Sequence, residues 1–175
     1  LRGISLFASW WIWDLALRSA WVDILVANEL LNERSSVFKR NFSWTQMLCG
    51  DIWELKNQII QSTKDKLQWD ALDFIIATPP CQGMSKNWQW KLLQWIREWK
   101  KPKIDIRNRL IIPTLDIATS LQPDTIVFEN VPEMYNTIID DENGDFVNII
   151  EYIQRRLWPK YVWKAEVVEF ADYWI

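Results

Sequence analysis

Histidine is absent from this chain of 175 residues. That excludes a Ser-His-Asp triad, a Cys-His dyad and any histidine metal site. Cysteine is nearly absent: Cys49 and Cys81 are the two, and no CxxC pair occurs. A disulfide scaffold or a zinc cluster is therefore not expected, and a reducing, cytoplasmic setting is the default. No apolar run approaches the roughly 20 residues a helix needs to cross a bilayer. The start, Leu1-Arg2-Gly3-Ile4, lacks the charged region, apolar stretch and cleavage site of a secretory signal. A general excess of positive charge is missing too, since the net charge is -3, so the whole surface is not a basic nucleic-acid binder. Glycine is scarce, with 4 residues where average usage of about 7% would give roughly 12.

What is abundant is tryptophan, 14 residues. Trp10, Trp11 and Trp13 crowd one short segment, and Trp88 and Trp90 fall in a polar, loop-like stretch. Trp69 sits at a helix-to-strand junction, and Trp158 stands before Pro159 where a helix should end. Such junctions often require φ > 0 and favour glycine, so many of these indoles are read as standing in glycine positions. A local basic stretch also exists: Lys86, Lys91, Arg97, Lys100, Lys101, Lys103, Arg107 and Arg109. A solvated loop and a phosphate-contacting surface explain it equally well.

Buried-looking runs alternate with helical patterns, and the length fits one domain spanning 1–175. Strands are expected at 4–7, 24–27, 45–49, 72–77, 125–128 and 161–170. Helices are expected at 14–20, 32–41, from Asp51 as cap to about 66, at 107–121 and at 145–157. This order gives an α/β fold, an open and mostly parallel sheet with helices on both faces. In such sheets ligands bind outside the carboxyl ends of the strands, at the switch point in strand order. The segments to inspect are 8–14, 28–29, 50–51, 78–85 and 129–132. The chain ends at Trp174-Ile175 with no terminal helix or polar tail, which reads as truncation.

Two of these segments carry chemistry. In Thr78-Pro79-Pro80-Cys81-Gln82-Gly83-Met84-Ser85 a cysteine follows two prolines at a strand's end. The prolines stiffen the loop and remove two donors, so it can present a thiolate. A lone cysteine is more often simply buried; this context favours a nucleophile. In Phe128-Glu129-Asn130-Val131-Pro132 an acid ends another buried strand and is expected at the same rim as Cys81.

Pro80-Cys81-Gln82 and Glu129-Asn130-Val131 resemble the two signature motifs of the DNA cytosine-5 methyltransferases. Asp105-Ile106-Arg107-Asn108-Arg109-Leu110 resembles the segment ahead of the helix that leads to Glu-Asn-Val. Ile4-Ser5-Leu6-Phe7 with Asp14-Leu15, Ala27-Asn28-Glu29 and Gly50-Asp51-Ile52 resemble the cofactor-contacting segments. The resemblance implies a Rossmann-like, S-adenosylmethionine-dependent methyltransferase fold, truncated at the carboxyl end. It implies Cys81 as the nucleophile toward cytosine C6 and Glu129 on the N3/N4 edge of the base. Phe7 would pack on the adenine, Glu29 would bind the ribose hydroxyls, and Asp51 with Ile52 would hold the adenine. Asp14, Pro79 and Leu110 would complete the S-adenosyl-L-methionine site. Pro80, Gln82, Ser85 and Asn130 would lie at the DNA, a duplex with one cytosine flipped out of the stack.

The chain departs from the family at the first cofactor loop. The family pattern is F-x-G-x-G-G-x-D; here it reads Phe7-Ala8-Ser9-Trp10-Trp11-Ile12-Trp13-Asp14, with no glycine. The Gln/Arg motif, target-recognition region and final helix of the family are not in this sequence. The chain alone is therefore expected to be inactive. Two other readings exist. An amino-methyltransferase would need Asp/Asn-Pro-Pro-aromatic, but Thr78 and Cys81 occupy the diagnostic positions. A non-catalytic or split module would depend on a complementary chain carrying target recognition.

Overall fold

Short runs of β-branched and aliphatic residues form the strands, and amphipathic stretches between them return the chain across the sheet. The computed structural model describes residues 1–9, 12–84, 105–169 and 172. The elements are β1 (Arg2–Leu6), α1 (Ile12–Ser19), β2 (Asp23–Glu29), α2 (Asn32–Asn41), β3 (Gln46–Cys49), α3 (Ile52–Leu67), β4 (Phe74–Ala77), α4 (Ile111–Leu121), β5 (Thr125–Phe128), β6 (Ile138–Asp140), β7 (Phe146–Asn148) and α5 (Ile149–Leu157). Short 3-10 turns occupy Cys81–Gly83, Ile106–Leu110 and Pro132–Asn136.

Five strands form one sheet in the order β3-β2-β1-β4-β5, and every pairing in it is parallel. The order reverses between β1 and β4. The crevice at their carboxyl ends is the position where open α/β sheets place ligands. Apolar side chains cover both faces, as a parallel sheet requires. On one face Ile4, Leu6, Val26, Leu48, Ile75 and Ala77 pack with Ile52 and Ile59 of α3 and Ile117 and Ala118 of α4. On the other, Ile24, Ala27 and Met47 pack with Phe38 and with Leu17 of α1.

Ile24 and Val26 belong to different faces although they are two residues apart. Strand periodicity alone would put them together. A register shift opposite Gly3/Ile4 inserts Leu25 as an extra residue, and this bulge resets the alternation. A third cluster unites Ile111, Ile112 and Leu115 of α4, Ile139, Ile149 and Tyr152, and it also takes in Met84 and Met134.

Several bounds shift by one or two residues, and three expected elements differ by more. The helix expected at 107–121 is a 3-10 turn followed by an α-helix from Ile111. The helix expected at 145–157 begins at Ile149; a β6-β7 hairpin precedes it, turned through Asp141-Glu142-Asn143-Gly144, with Gly144 at φ 83°. Asn-Gly between apolar runs is a hairpin signal. The strand expected at 161–170 is not formed over 161–169, where the backbone has no regular structure. Val162, Trp163, Val167 and Val168 there are exposed, and β-propensity without a paired neighbour does not make a strand.

The tryptophan reading is corrected in part. Trp158 has φ -69°, and the positive φ beside Trp69 falls on Gln68 at 58°. Trp21, at φ 62° after α1, does occupy the left-handed position that favours glycine. Trp10, Trp11, Trp88 and Trp90 lie outside the described residues, as do Lys86 to Lys103 of the basic stretch.

Candidate active site at the carboxyl rim of the sheet

β4 and β5 pair in register, Ala77 opposite Phe128, so the loops that carry Cys81 and Glu129 leave from neighbouring strand ends. The Glu129 amide still donates to Ala77 O at 3.0 Å. Beyond it, Asn130 Nδ2 donates to Pro79 O at 2.9 Å, and Asn130 Oδ1 accepts from the Val131 amide at 2.9 Å. Asn130 thereby ties the Glu-Asn-Val segment to the Pro-Pro-Cys segment. On the other side Thr78 Oγ1 donates to Phe7 O at 3.0 Å, joining the β4 loop to the β1 loop.

Pro79 is buried and Pro80 half-buried, so the chain reaches Cys81 through a backbone fixed at φ near -65°. Cys81 is a free, exposed thiol at the start of the 3-10 turn. The turn is closed by Met84 N donating to Cys81 O at 2.9 Å, and Met84 is 1% exposed within the third core cluster. Gly83 is packed so closely that an added Cβ would stand 2.3 Å from Asn108 Oδ1 and 2.8 Å from Asp105 Cβ. Arg107 Nη1 donates to Gln82 Oε1 at 2.5 Å. Glu129 is half-buried, and burial pushes its carboxyl above the ordinary range.

Three carboxylates stand at or after the ends of β1, β2 and β3. Glu29, 5% exposed, accepts from the Ser9 amide at 2.8 Å and the Leu31 amide at 2.9 Å. Asp51 caps α3, accepting from the Trp53 amide at 2.9 Å. Asn28 Nδ2 donates to Leu48 O and Gly50 O, both at 3.1 Å, and locks the β2 and β3 ends together. Asp14 is 1% exposed, and neither of its oxygens has a hydrogen-bond partner. Burial pushes its pKa up to about 6; the Ser5 hydroxyl lies near enough to offset part of this, though outside hydrogen-bonding geometry. Phe7 at φ 61° and Ser9 at φ 45° hold left-handed backbone, which costs about 1–2 kcal/mol for a residue with a side chain.

Of the other expected residues, Ile52 is 2% exposed and Leu110 is partly buried, both against the core beneath the rim. Gln82 is exposed, and Ser85 lies outside the described residues. Sequence reasoning placed Asn28, Met84 and Asn108 in its motifs without giving them individual roles, and it missed the Arg107–Gln82 contact. Arg107 was absorbed into a basic run; the Asp-x-Arg spacing of Asp105 and Arg107 was the available signal.

The profile of the C-5 cytosine-specific DNA methylases matches residues 1–174. The chain belongs to this family. Among related cytosine-5 methylases, the type II methyltransferase M1.HgaI of Avibacterium volantium is 32% identical over 99% of the chain and 46% of that protein. The DNA (cytosine-5-)-methyltransferase M.ApeKI of Aeropyrum pernix is 31% identical over 79% of the chain and 32% of its own length. This cytosine-5 methylase chain thus spans less than half the length of either relative. In fold it is similar to a candidate DNA modification methyltransferase encoded within an E. coli prophage, with TM-score 0.62 and 24% identity over 90% of the chain and 37% of that structure. The methylase core also resembles Spodoptera frugiperda DNMT2, with TM-score 0.58 and 20% identity over 89% of the chain and 40% of that structure. Its sheet is the Rossmann-like sheet of those proteins. Among the described residues, no helix is long and apolar enough to cross a membrane.

Proposed function

We propose that residues 1–175 are the catalytic core of a DNA cytosine-5 methyltransferase, with Cys81 as nucleophile and Glu129 as the acid on the base. The observation that carries this reading is the meeting of the two signature segments at adjacent strand ends, joined by the Asn130–Pro79 hydrogen bond. Cytosine C5 is a weak nucleophile. Bond formation between Cys81 Sγ and C6 would make the ring enamine-like and C5 reactive, which is nucleophilic catalysis by a thiolate. Glu129, with its carboxyl raised by burial, keeps a proton closer to neutral pH. It can hydrogen-bond N3 and N4 and stabilise the charge that develops there. Both side chains require a base taken out of the duplex, so double-stranded DNA is the proposed substrate.

The donor set at the ends of β2 and β3 fits the nucleoside half of S-adenosylmethionine. Glu29 accepts two amide hydrogens and Asp51 one, and a carboxylate has about four acceptor sites, so both retain capacity for hydroxyl and amino donors. Glu29 would hold the ribose, with Asp51 and Ile52 at the adenine and Phe7 against its ring. When bound, the cofactor supplies the electrophilic methyl group. The β1 loop fits less well. Its strained Phe7 and Ser9 and its indole-rich stretch replace the bare backbone that must approach the methionine end. The chain alone is therefore proposed to be inactive, with a complementary partner or further sequence supplying target recognition.

The test is methyl transfer by a complete enzyme with glycine at positions 9, 11 and 12, where the family pattern has it. Cys81→Ser lowers the rate by more than about a thousandfold and leaves the melting temperature unchanged. Retained activity in the serine variant rules out covalent catalysis by this residue.

A further inference from the structure

Among the described residues, Arg107 is the arginine whose side chain reaches back to the Cys81 turn. Its Nε donates to Asp105 Oδ1 at 2.8 Å, its Nη2 pairs with Asp105 Oδ2, and its Nη1 donates to Gln82 Oε1 at 2.5 Å. Asp105 is itself fixed, because Oδ1 also accepts the Arg107 amide at 3.0 Å and caps the 3-10 turn Ile106–Leu110. The same turn touches the cysteine loop a second time: Asn108, 3% exposed, donates Nδ2 to Gly83 O at 3.4 Å. The close approach of Gly83 to Asn108 and Asp105 leaves no room for a side chain between them. Two contacts from one short segment therefore grip the residues that immediately follow Cys81.

We propose that Arg107 is a positioning residue for Cys81, acting through Gln82. The inference rests on the reading of Cys81 as the nucleophile. A planar guanidinium donates along fixed directions; with two of its nitrogens held by Asp105, the third fixes where the Gln82 side chain can lie. Gln82 is the middle residue of the turn that Met84 N closes on Cys81 O, so holding Gln82 holds that closure. Arg107 also lies within electrostatic reach of the thiol. Its guanidinium is raised above its ordinary value first by the Asp105 hydrogen bond, and Cys81 is among the lesser contributors. A phosphate-binding role suits Arg107 less well, because three of its five N–H donors are already directed at Asp105 and Gln82.

Amide hydrogen exchange at Met84 reads this closure directly. In Arg107→Ala it becomes about tenfold faster, the loss expected from one hydrogen bond of ordinary worth. The Ile4 and Ile75 amides, in core strands, keep their protection, which separates a loosened turn from a weakened fold. Gln82→Ala removes the same bond from an exposed side chain, so it gives the same acceleration even if Arg107→Ala does not fold. The double variant is no faster than either single one, because the two residues act as one unit. Unchanged Met84 exchange in Gln82→Ala, or effects that multiply in the double variant, overturns the proposal. Neither result bears on the nucleophile itself, which the Cys81→Ser comparison decides separately.

Discussion

At the end of β4 the chain turns on two prolines. It is tied to the β5 loop by Asn130, anchored by buried Met84 and gripped by the Asp105–Asn108 segment. At the end of β1, on the adjacent strand, Phe7 and Ser9 sit in left-handed backbone, and a buried aspartate has no hydrogen-bond partner. Both loops leave the same rim of one sheet. The first is held by hydrogen bonds from Asn130, Asn108 and Arg107 around an exposed thiol, with Asn108 Oδ1 left without a partner; the second holds left-handed backbone and a buried carboxyl with neither oxygen partnered. A braced loop is what the proposed role of Cys81 requires. Phe7 and Ser9 carry side chains at positive φ, where glycine would bear no such cost.

The largest stability effect expected from this contrast is at Asp14. Its folded pKa of about 6 lies above its ordinary value of 3.8, so the folded state binds the proton more tightly. Its contribution is fully present below about pH 4 and is lost as pH rises through about 6. The charged form then costs up to about 3 kcal/mol at pH 8. Asp14→Asn removes that cost: urea melts show a gain of about 2 kcal/mol at pH 8 and little change at pH 4. An equal effect at both pH values would mean that Asp14 is not the strained group.

Gly83 probes the braced loop. A methyl group there meets Asn108 and Asp105 well inside contact distance, so Gly83→Ala costs about 1–3 kcal/mol by overpacking. Gly144, with nothing near its Cβ position, has a φ of 83° and so tests backbone strain instead; it is not an equivalent control. Thermal or urea unfolding of Gly83→Ala at wild-type stability would show that the turn is looser than its contacts indicate.

The smallest effect concerns Trp21. It is 86% exposed and takes φ 62°, so its side chain gains little from burial while its backbone bears the left-handed cost. Trp21→Gly raises stability by about 1 kcal/mol, read as a shift in the urea midpoint. A loss of stability would mean that the indole makes a contact worth more than the strain.

Much of this contrast was legible in the sequence. The α2 bounds, the β5 bounds and the Asp51 cap follow from local patterns, and the switch point follows from strand order. The Pro-Pro-Cys and Glu-Asn-Val segments announced themselves because rigid or charged residues follow apolar runs, although β5, expected to be buried, is an edge strand with Thr125 and Val127 exposed. The hairpin Ile138–Asn148 was missed because a helical reading of 145–157 overrode the Asn-Gly turn. The strand at 161–169 was expected from composition, which does not say whether a neighbour is present to pair. The grip of Arg107 on Gln82 depends on two segments 25 residues apart, and no local pattern carries that. The bulge at Leu25 was likewise invisible, because it is a property of the pairing with β1 rather than of β2.

The central claim is that the β4–β5 side of the site is built while the β1 side is blocked. Equilibrium titration with S-adenosylmethionine, followed by calorimetry, measures the blocked side directly. It compares the unmodified chain with the combined variant Ser9→Gly, Trp11→Gly and Ile12→Gly, which restores the family's three glycines. Weak, unsaturated binding by the unmodified chain and saturable micromolar binding by the glycine variant is the predicted result. Saturable micromolar binding by the unmodified chain would contradict the account, because the strained, glycine-free loop would then be holding the cofactor as it stands.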